Sequence, residues 1–275
     1  MASPEPLPSY SLRADATEAI SVVSSWPFEV SREWAFGDST GDGVRVCVLD
    51  SGVEADHSMV GGLERAVRVV AADQQTARVE EDEEGDVFGH GTACAGIIRG
   101  LAPECQIASV RVLGPTNRGS GAIMLAGLRW AIDQGYDVIN MSLSSRKREL
   151  AALLHQVADD AYFRRRAIVA SAHNLAVESY PWRFSSVISV GSHELADPVA
   201  FFYNPTPPVE FYGRGVDIEV AWRGGGTVRS SGNSFATAHI SGICALILAK
   251  HPELTPFELK SVLYLTANNV TEANV

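Results

Sequence analysis

Short apolar runs alternate along this chain with longer stretches of helical periodicity, and that alternation restricts the folds available to it. The apolar runs predict strands at residues 44–49, 106–113, 138–143, 167–172 and 187–191. The periodic stretches predict helices at residues 90–99, 121–134, 149–163, 234–250 and 255–266. Strands separated by helices favour a parallel sheet that is covered on both faces. The sequence therefore predicts an α/β fold.

Length and charge narrow the class of protein further. The 275 residues fit one α/β domain or two small ones. A net charge of −11 argues against a nucleic-acid or anionic-membrane partner, because both require basic patches. No apolar run approaches the roughly 18 residues that a bilayer-spanning helix needs. Neither nucleic acid nor membrane is expected as a partner, and the oligomeric state stays open.

The N-terminal residues and the cysteines bear on location. Residues 1–25, in which Pro4, Pro6 and Pro8 lie close together, are predicted to form a flexible extension to a folded domain at residues 26–275. The N-terminus lacks the apolar core of a secretory signal. The four cysteines stand in apolar runs without metal-type CxxC spacing. A cytoplasmic location is expected, or a secreted one if a pro-segment has been removed.

Three short motifs carry residue types suited to one reaction. They read Asp50-Ser51-Gly52, Gly89-His90-Gly91-Thr92 and Gly232-Asn233-Ser234-Phe235-Ala236. A serine hydroxyl is a poor nucleophile, and it needs an imidazole to take its proton and a carboxylate to orient that imidazole. Taken singly, each residue is better explained as a helix cap or a packing side chain. Their order and flanking residues together favour a catalytic triad of Asp50, His90 and Ser234.

The predicted strands also place polar residues at a common edge. Asp50, Ser142 and Asn174 each follow an apolar run that reads as a strand. Functional groups of parallel α/β sheets gather beyond the carboxyl ends of the strands. These three residues are therefore expected to line one side of the sheet.

The order Asp, His, Ser and the flanking residues resemble the subtilisin-like serine proteases, over residues 34–267. The resemblance implies a three-layer, doubly wound, mostly parallel sheet with helices on both faces. It implies a serine endopeptidase that forms an acyl-enzyme, with Ser234 as nucleophile, His90 as general base and Asp50 as the orienting carboxylate. Residues 168–174 are similar to the family strand that ends in the oxyanion asparagine. Asn174 is thus expected to stabilise the oxyanion with the Ser234 backbone N–H.

The resemblance also implies two backbone edges that would pair with an extended peptide or protein substrate. One edge would be Gly119, Ser120 and Gly121, and the other Ser142, Leu143 and Ser144. His173 and Ser144 stand where the family usually has glycine, and Asn233 stands where it usually has threonine. The first two are expected to restrict the first specificity pocket.

No cofactor and no metal are expected. Residues 80–84 and Asp86 form an acidic run that we interpret as a solvated loop, with attraction of basic substrate segments or of a hard cation as alternatives. The family's calcium loop would follow the helix of His90, where the sequence leaves no room for it beyond residues 97–101. Met59 stands where a ligand carboxylate would be expected.

Cys94 is four residues after His90 and shares its helix face. The motif around it resembles the thiol-dependent branch of the family, so it is expected to be a buried thiol and not a nucleophile. Two other functions stay open. One is a catalytically silent subtilase fold that binds peptide, supported only by His173 and Asn233. The other is a dedicated protease that removes leader peptides.

Overall fold

The sheet predicted from the alternating pattern is present. A computed structural model describes residues 29–72 and 77–271, and all the elements below belong to one unit, Ser31–Val275. Nine strands form the sheet in the order β3-β2-β4-β1-β5-β6-β7-β9-β8. They are β1 (Arg45–Asp50), β2 (Arg65–Ala71), β3 (Ala77–Glu81), β4 (Gln106–Arg111), β5 (Val138–Met141), β6 (Ala167–Ser171), β7 (Ile188–His193), β8 (Phe202–Tyr203) and β9 (Phe211–Arg214). The predicted extension, residues 1–25, lies outside the described residues.

The strand pairings are parallel through the centre of the sheet, from β2 across to β9. Only its two edges, β3 on β2 and β8 on β9, pair antiparallel among the described strands. A separate hairpin is made of β10 (Ile218–Trp222) and β11 (Gly226–Ser230). Parallel strands need crossover connections. A helix precedes each of β4, β5 and β6, whereas, in the part of the chain that the structure describes, no helix lies between β6 and β7 or between β7 and β9.

Helices cover both faces of the sheet. They are α1 (Arg32–Ala35), α2 (His90–Leu101), α3 (Gly121–Asp133), α4 (Ala151–Phe163), α5 (Asn233–Lys250) and α6 (Pro256–Thr266). On one face α3 packs on β2, β3 and β4, and α4 packs on β6. On the other face α2 packs on β1, and α5 packs on β5, β6, β7 and β9. The predicted three-layer, mostly parallel α/β fold is therefore confirmed.

The interior explains why these helices form. Leu49, Val110, Leu128 and Ile139 belong to a buried cluster between the sheet and the α3–α4 layer. Helix α5 is buried along almost its whole length, which requires a sequence that is apolar on every side. Within the described part of the chain, no helix is both long and apolar enough to cross a membrane.

Each predicted strand and helix is present, with ends displaced by a few residues. The helix predicted at residues 149–163 begins as a 3₁₀ turn, Arg148–Leu150, before α4. The sequence analysis missed α1, the strands β2 and β3, and all the strands after β7. Most of the missed strands are short or lie at sheet edges, where the apolar pattern is weak.

The acidic run illustrates this loss of pattern. Glu80 and Glu81 belong to β3, where they form ion pairs with Arg68 and Arg65 of β2 at 3.2 and 2.6 Å. Asp82 is buried and accepts two hydrogen bonds of 2.8 Å from the Arg111 guanidinium. Interpreting the whole run as a solvated loop was therefore wrong, because Glu80 and Glu81 belong to a paired strand and Asp82 is buried against a guanidinium.

Candidate active site

The carboxyl ends of the central strands open into a cleft. Strands β1, β5 and β6 are neighbours, and α2 and α5 begin beside their carboxyl ends. The cleft has a volume of about 620 Å³. Every predicted site residue except Asp50 lines it, namely His90, Gly119, Ser120, Gly121, Ser142, Leu143, Ser144, His173, Asn174 and Ser234. The structure thus brings together residues that are far apart in sequence.

Asp50 stands behind His90, at the last position of β1, and is fully buried. The His90 Nδ1 lies 2.9 Å from each carboxylate oxygen of Asp50. Burial by itself lowers the pKa of His90, but the charge of Asp50 and this hydrogen bond outweigh it, so the His90 pKa is raised. Because Nδ1 is held by Asp50, the other ring nitrogen, Nε2, is the one left for chemistry in the cleft.

Steric constraints require glycine at both positions that flank His90. Gly89 has a φ of 124°, and a Cβ there would lie 2.4 Å from the Trp222 ring. A Cβ on Gly91 would lie 2.0 Å from the carbonyl oxygen of Gly52. The start of α2 therefore docks directly on the end of β1, which is what places His90 within reach of Asp50.

Ser234 is the second residue of α5, where its backbone N–H has no acceptor within the helix. Its hydroxyl donates to the Ser142 carbonyl at 3.3 Å, and the Ser142 hydroxyl donates to the Ser234 carbonyl at 2.9 Å. The Phe235 ring lies against the His90 ring, with centroids 5.6 Å apart. At 3.3 Å the hydrogen bond from the Ser234 hydroxyl to the Ser142 carbonyl is long and therefore weak.

Asn174 lies beyond β6, and its orientation is set by the chain that precedes Ser234. Its Oδ1 accepts from the Asn233 backbone N–H at 3.0 Å, so its Nδ2 is the free end of the amide. A Cβ built on Gly232 would lie 3.8 Å from that Nδ2. The amide donor therefore lies beside the start of α5, on the cleft side.

The side chain of Asn233 is tied away from Asn174. Its Nδ2 donates to the Ala172 carbonyl at 3.1 Å, and its Oδ1 accepts from the Ser192 hydroxyl at 2.8 Å. These two bonds link the start of α5 to the ends of β6 and β7. Asn233 stands where the family usually has threonine. Because its side chain is bonded elsewhere, it leaves the amide of Asn174 exposed to the cleft.

The predicted substrate edges lie on either side of the cleft. Ser120 is extended and caps α3 by accepting from the Ile123 N–H at 3.2 Å, while Gly121 is already helical. On the other side, Ser142, Leu143 and Ser144 continue from β5 without strand pairing of their own among the described residues. The first edge is therefore shorter than predicted, because the helix cap begins inside it.

The two bulkier replacements, Ser144 and His173, are both held in place. The hydroxyls of Ser144 and Ser179 are 3.0 Å apart, and the Trp182 indole donates to Ser179 at 2.9 Å. The His173 Nδ1 accepts from the Leu175 N–H at 3.0 Å. Each of these two side chains therefore has a hydrogen-bond partner at the wall of the cleft.

One set of side chains in the described part of the chain is compact enough to hold a metal. Ligand atoms of Asp50, His90 and Cys94 lie within 4.8 Å of one another. Burial raises the pKa of the Cys94 thiol well above its usual range, which disfavours the thiolate that a soft metal needs. For calcium, residues 102–105 connect α2 directly to β4, and the Met59 side chain offers no oxygen ligand. These residues therefore fit neither a soft metal at Asp50, His90 and Cys94 nor the calcium loop of the family.

Sequence reasoning missed Asp86, Ser51 and Thr92 as part of the site. The Ser51 hydroxyl and the Thr92 hydroxyl both donate to the buried carboxylate of Asp86, at 2.8 and 2.6 Å. The signal available was a carboxylate four residues before His90 with a hydroxyl two residues after it. The neighbouring acidic residues concealed that signal.

Comparison with known proteins identifies the class as serine endopeptidase. The subtilase (peptidase S8) family model matches residues 41–275. Subtilisin from Bacillus pumilus is 31% identical over 243 residues, which cover 83% of this chain and 85% of that one. M-protease from Shouchella clausii (strain KSM-K16) is 29% identical over 98% of this chain and 71% of its own length. The crystal structure of a cold adapted subtilisin-like serine proteinase matches 82% of each chain, with a TM-score of 0.66 and 28% identity. The chain belongs to the subtilase family.

Burial of Cys94 leads to a prediction about its reactivity. The thiol is fully buried, its pKa is raised, and its Sγ lies 3.3 Å from the Ser142 hydroxyl. We expect native protein to resist iodoacetamide, because alkylation needs an accessible thiolate. Intact mass should show no adduct on native protein, and one adduct per cysteine in guanidinium. We expect Cys94→Ala to stay active. An inactive, folded Cys94→Ala would show a role for the thiol in catalysis.

Proposed function

We propose that this protein cleaves peptide bonds with Ser234 as nucleophile, His90 as general base and then acid, and Asp50 as the carboxylate that orients His90. One observation carries the proposal. The His90 Nδ1 is held at 2.9 Å by the buried Asp50 at the wall of a cleft that Ser234 also lines. That arrangement fixes the imidazole tautomer that can accept a proton from a serine.

The reaction has two similar halves, formation of the acyl-enzyme and its hydrolysis. The Ser234 Oγ attacks the substrate carbonyl carbon, and its proton passes to the His90 Nε2. His90 returns that proton to the leaving amine as the C–N bond breaks, which leaves an acyl ester on Ser234. A water molecule repeats the attack on the ester with His90 again as base, and the acid product leaves. Asp50 stays ionised and stabilises the imidazolium throughout.

We assign stabilisation of the oxyanion to Asn174 and to the backbone N–H of Ser234. The locked Oδ1 of Asn174 leaves Nδ2 as donor, and the N-terminus of α5 adds the positive end of a helix dipole. We propose that both donors are held before substrate binds, Asn174 by this hydrogen bond and the Ser234 N–H by the helix. Preorganised donors of this kind contribute because they need no rearrangement as charge develops.

We place an extended peptide or protein substrate between the two cleft edges. Residues 119–121 and 142–144 line the cleft, and backbone pairing with residues 119–120 and 142–144 would give affinity with little sequence selectivity. The paired Asp50 and His90 argue against a silent peptide-binding module, and no contact among the described residues favours a leader-peptide protease. The predicted cytoplasmic location stays a prediction, to which four free, buried thiols add support for a reducing compartment.

Ser234→Ala tests the central proposal. We expect turnover to fall by about 10⁴ to 10⁶, because the nucleophile is removed while the helix start is kept. Wild-type protein should be labelled by a fluorophosphonate and the variant should not. Ser261→Ala, which removes a hydroxyl that bonds only the Phe257 carbonyl of its own helix, is the control and should match wild type. Labelling of Ser234→Ala, or an unlabelled wild type, would refute the assignment.

Asn174 is tested by two substitutions at one position. Asn174→Ala should lower kcat by about 10² to 10³ with little change in KM, since its bond forms mainly in the transition state. Asn174→Asp keeps the acceptor for the Asn233 N–H but replaces the donor by an anionic oxygen, so we expect it to be slower still. Steady-state kinetics on a chromogenic peptide measure both. Equal kcat in all three proteins would remove Asn174 from the oxyanion site.

The first specificity pocket should prefer small, uncharged side chains. His173 and Ser144 are fixed at the cleft wall, and overfilling a packed site costs about 1 to 3 kcal/mol. We expect preference over Phe or Tyr before the scissile bond of about tenfold or more, which is the rate ratio for roughly 1.4 kcal/mol. Peptide-library profiling of wild type, His173→Gly and Ser144→Gly measures it. A wild type that prefers Phe, or glycine variants with unchanged profiles, would contradict it.

A further inference from the structure

A second buried carboxylate organises the segment that carries His90. Asp86 is 7% exposed, and its two oxygens accept five hydrogen bonds. The Oδ1 accepts from the Ser51 hydroxyl and from the backbone N–H groups of Phe88 and Gly89, at 2.8, 2.9 and 2.7 Å. The Oδ2 accepts from the backbone N–H and the hydroxyl of Thr92, at 2.9 and 2.6 Å.

These donors lie on both sides of His90. Gly89 precedes it and Thr92 follows it by two positions, so one carboxylate holds the backbone at the entrance and in the first turn of α2. Gly89 itself gives the helix no side-chain cap, and Asp86 satisfies the N–H of Thr92 that the helix leaves without a partner. The position of the His90 backbone is therefore set from outside the helix.

The same hydrogen-bond network reaches the segment that carries Asp50, the partner of His90. Ser51 follows Asp50, and its hydroxyl accepts from the Gly91 N–H at 3.1 Å while it donates to Asp86. The end of β1 and the start of α2 are thus tied together through Asp86. A shift of this carboxylate would move His90 relative to Asp50.

Asp86 also acts through its charge. Its field favours the protonated form of His90, after the larger influences of burial and of Asp50 on the His90 pKa. Among the other groups on the elements around His90, Cys94 on α2 is neutral, and Trp222 and Phe235 carry no charge. Arg223, next after β10, places its guanidinium on the carbonyl of Val87 in the same loop.

We propose that Asp86 is a positioning residue of the peptidase: it fixes His90 against Asp50 and supplies a second negative charge that stabilises the imidazolium. This inference rests on the proposed function of His90. Asp86 touches no reacting atom, so its influence must show in the titration of His90 and in kcat.

Asp86→Asn is the test, and Asp82→Asn is its matched control. In Asp86→Asn an NH₂ group must face backbone N–H donors on one side, and the charge is lost. Asp82 lies in the same acidic run and is equally buried, but its charge is paired with Arg111. Both variants are expected to melt at lower temperature than wild type. The discriminating measurement is NMR titration of the His90 ring, assigned with His90→Gln, which needs no catalytic activity.

For Asp86→Asn we expect the His90 pKa to fall by about half a unit or more, since removing a nearby anion disfavours the cation. The acid limb of kcat/KM should move to lower pH with it. The plateau of kcat/KM should fall by about 10- to 100-fold, since a misplacement of about 1 Å can cost roughly 10²-fold. For Asp82→Asn we expect both titrations and the plateau to match wild type. An unchanged His90 titration with an unchanged plateau in folded Asp86→Asn overturns the proposal.

Two further variants cover the case in which Asp86→Asn does not fold. Thr92→Val removes one donor to Asp86, and Thr92→Ser keeps it. We expect a lower kcat/KM in Thr92→Val that Thr92→Ser restores, and equal activity in the two overturns the proposal. Fluorophosphonate labelling of wild type tests the proposed peptidase function separately from the positioning role of Asp86. Its failure refutes the proposed function, while the His90 titration still reports on Asp86.

Discussion

Burial of two carboxylates at the end of the central strand is the constraint on which the cleft depends. An ionised side chain without water must find donors, or its burial costs several kcal/mol or more. Asp50 finds them in the His90 ring and in the Ser51 N–H, the latter at 2.8 Å. Asp86 finds five more. Because these donors come from β1, from the loop before α2 and from α2 itself, satisfying the charges brings all three segments to one place.

The other half of the cleft is anchored through a buried polar chain. The Ser241 hydroxyl donates to the Asn140 Oδ1, and the Asn140 Nδ2 donates to the Ser142 hydroxyl, both at 3.0 Å. That hydroxyl in turn donates to the Ser234 carbonyl. Helix α5 is therefore fixed to β5 both at its start and two turns along. A fully satisfied buried network of this kind favours one arrangement over its alternatives, which a nucleophile on a helix start requires.

The sequence predicted the parts of the fold whose pattern is strong, and it failed where charge replaces apolar periodicity. Strands β1, β5 and β6 are buried on both faces and read as continuous apolar runs. Strand β3 reads Ala-Arg-Val-Glu-Glu instead, because Glu80 and Glu81 form ion pairs with arginines of β2 rather than packing in the core. Asp86 was missed for a related reason. Local composition marks an acidic loop, and only tertiary contacts distinguish a solvated carboxylate from one that accepts five hydrogen bonds.

The stability of the fold and catalysis favour opposite protonation states of His90. Its pKa is raised in the folded protein, so the interaction of imidazolium with Asp50 and Asp86 stabilises the fold fully below the pKa of an unfolded histidine. That contribution is lost as pH rises through the folded-state pKa. The general base, however, must be neutral before the reaction begins, so the active form exists above the same pKa. During proton transfer from Ser234 the imidazolium returns, so the buried carboxylates regain their cation as the transition state forms. A contribution that is absent from the resting active form and present when charge develops is one that lowers the barrier.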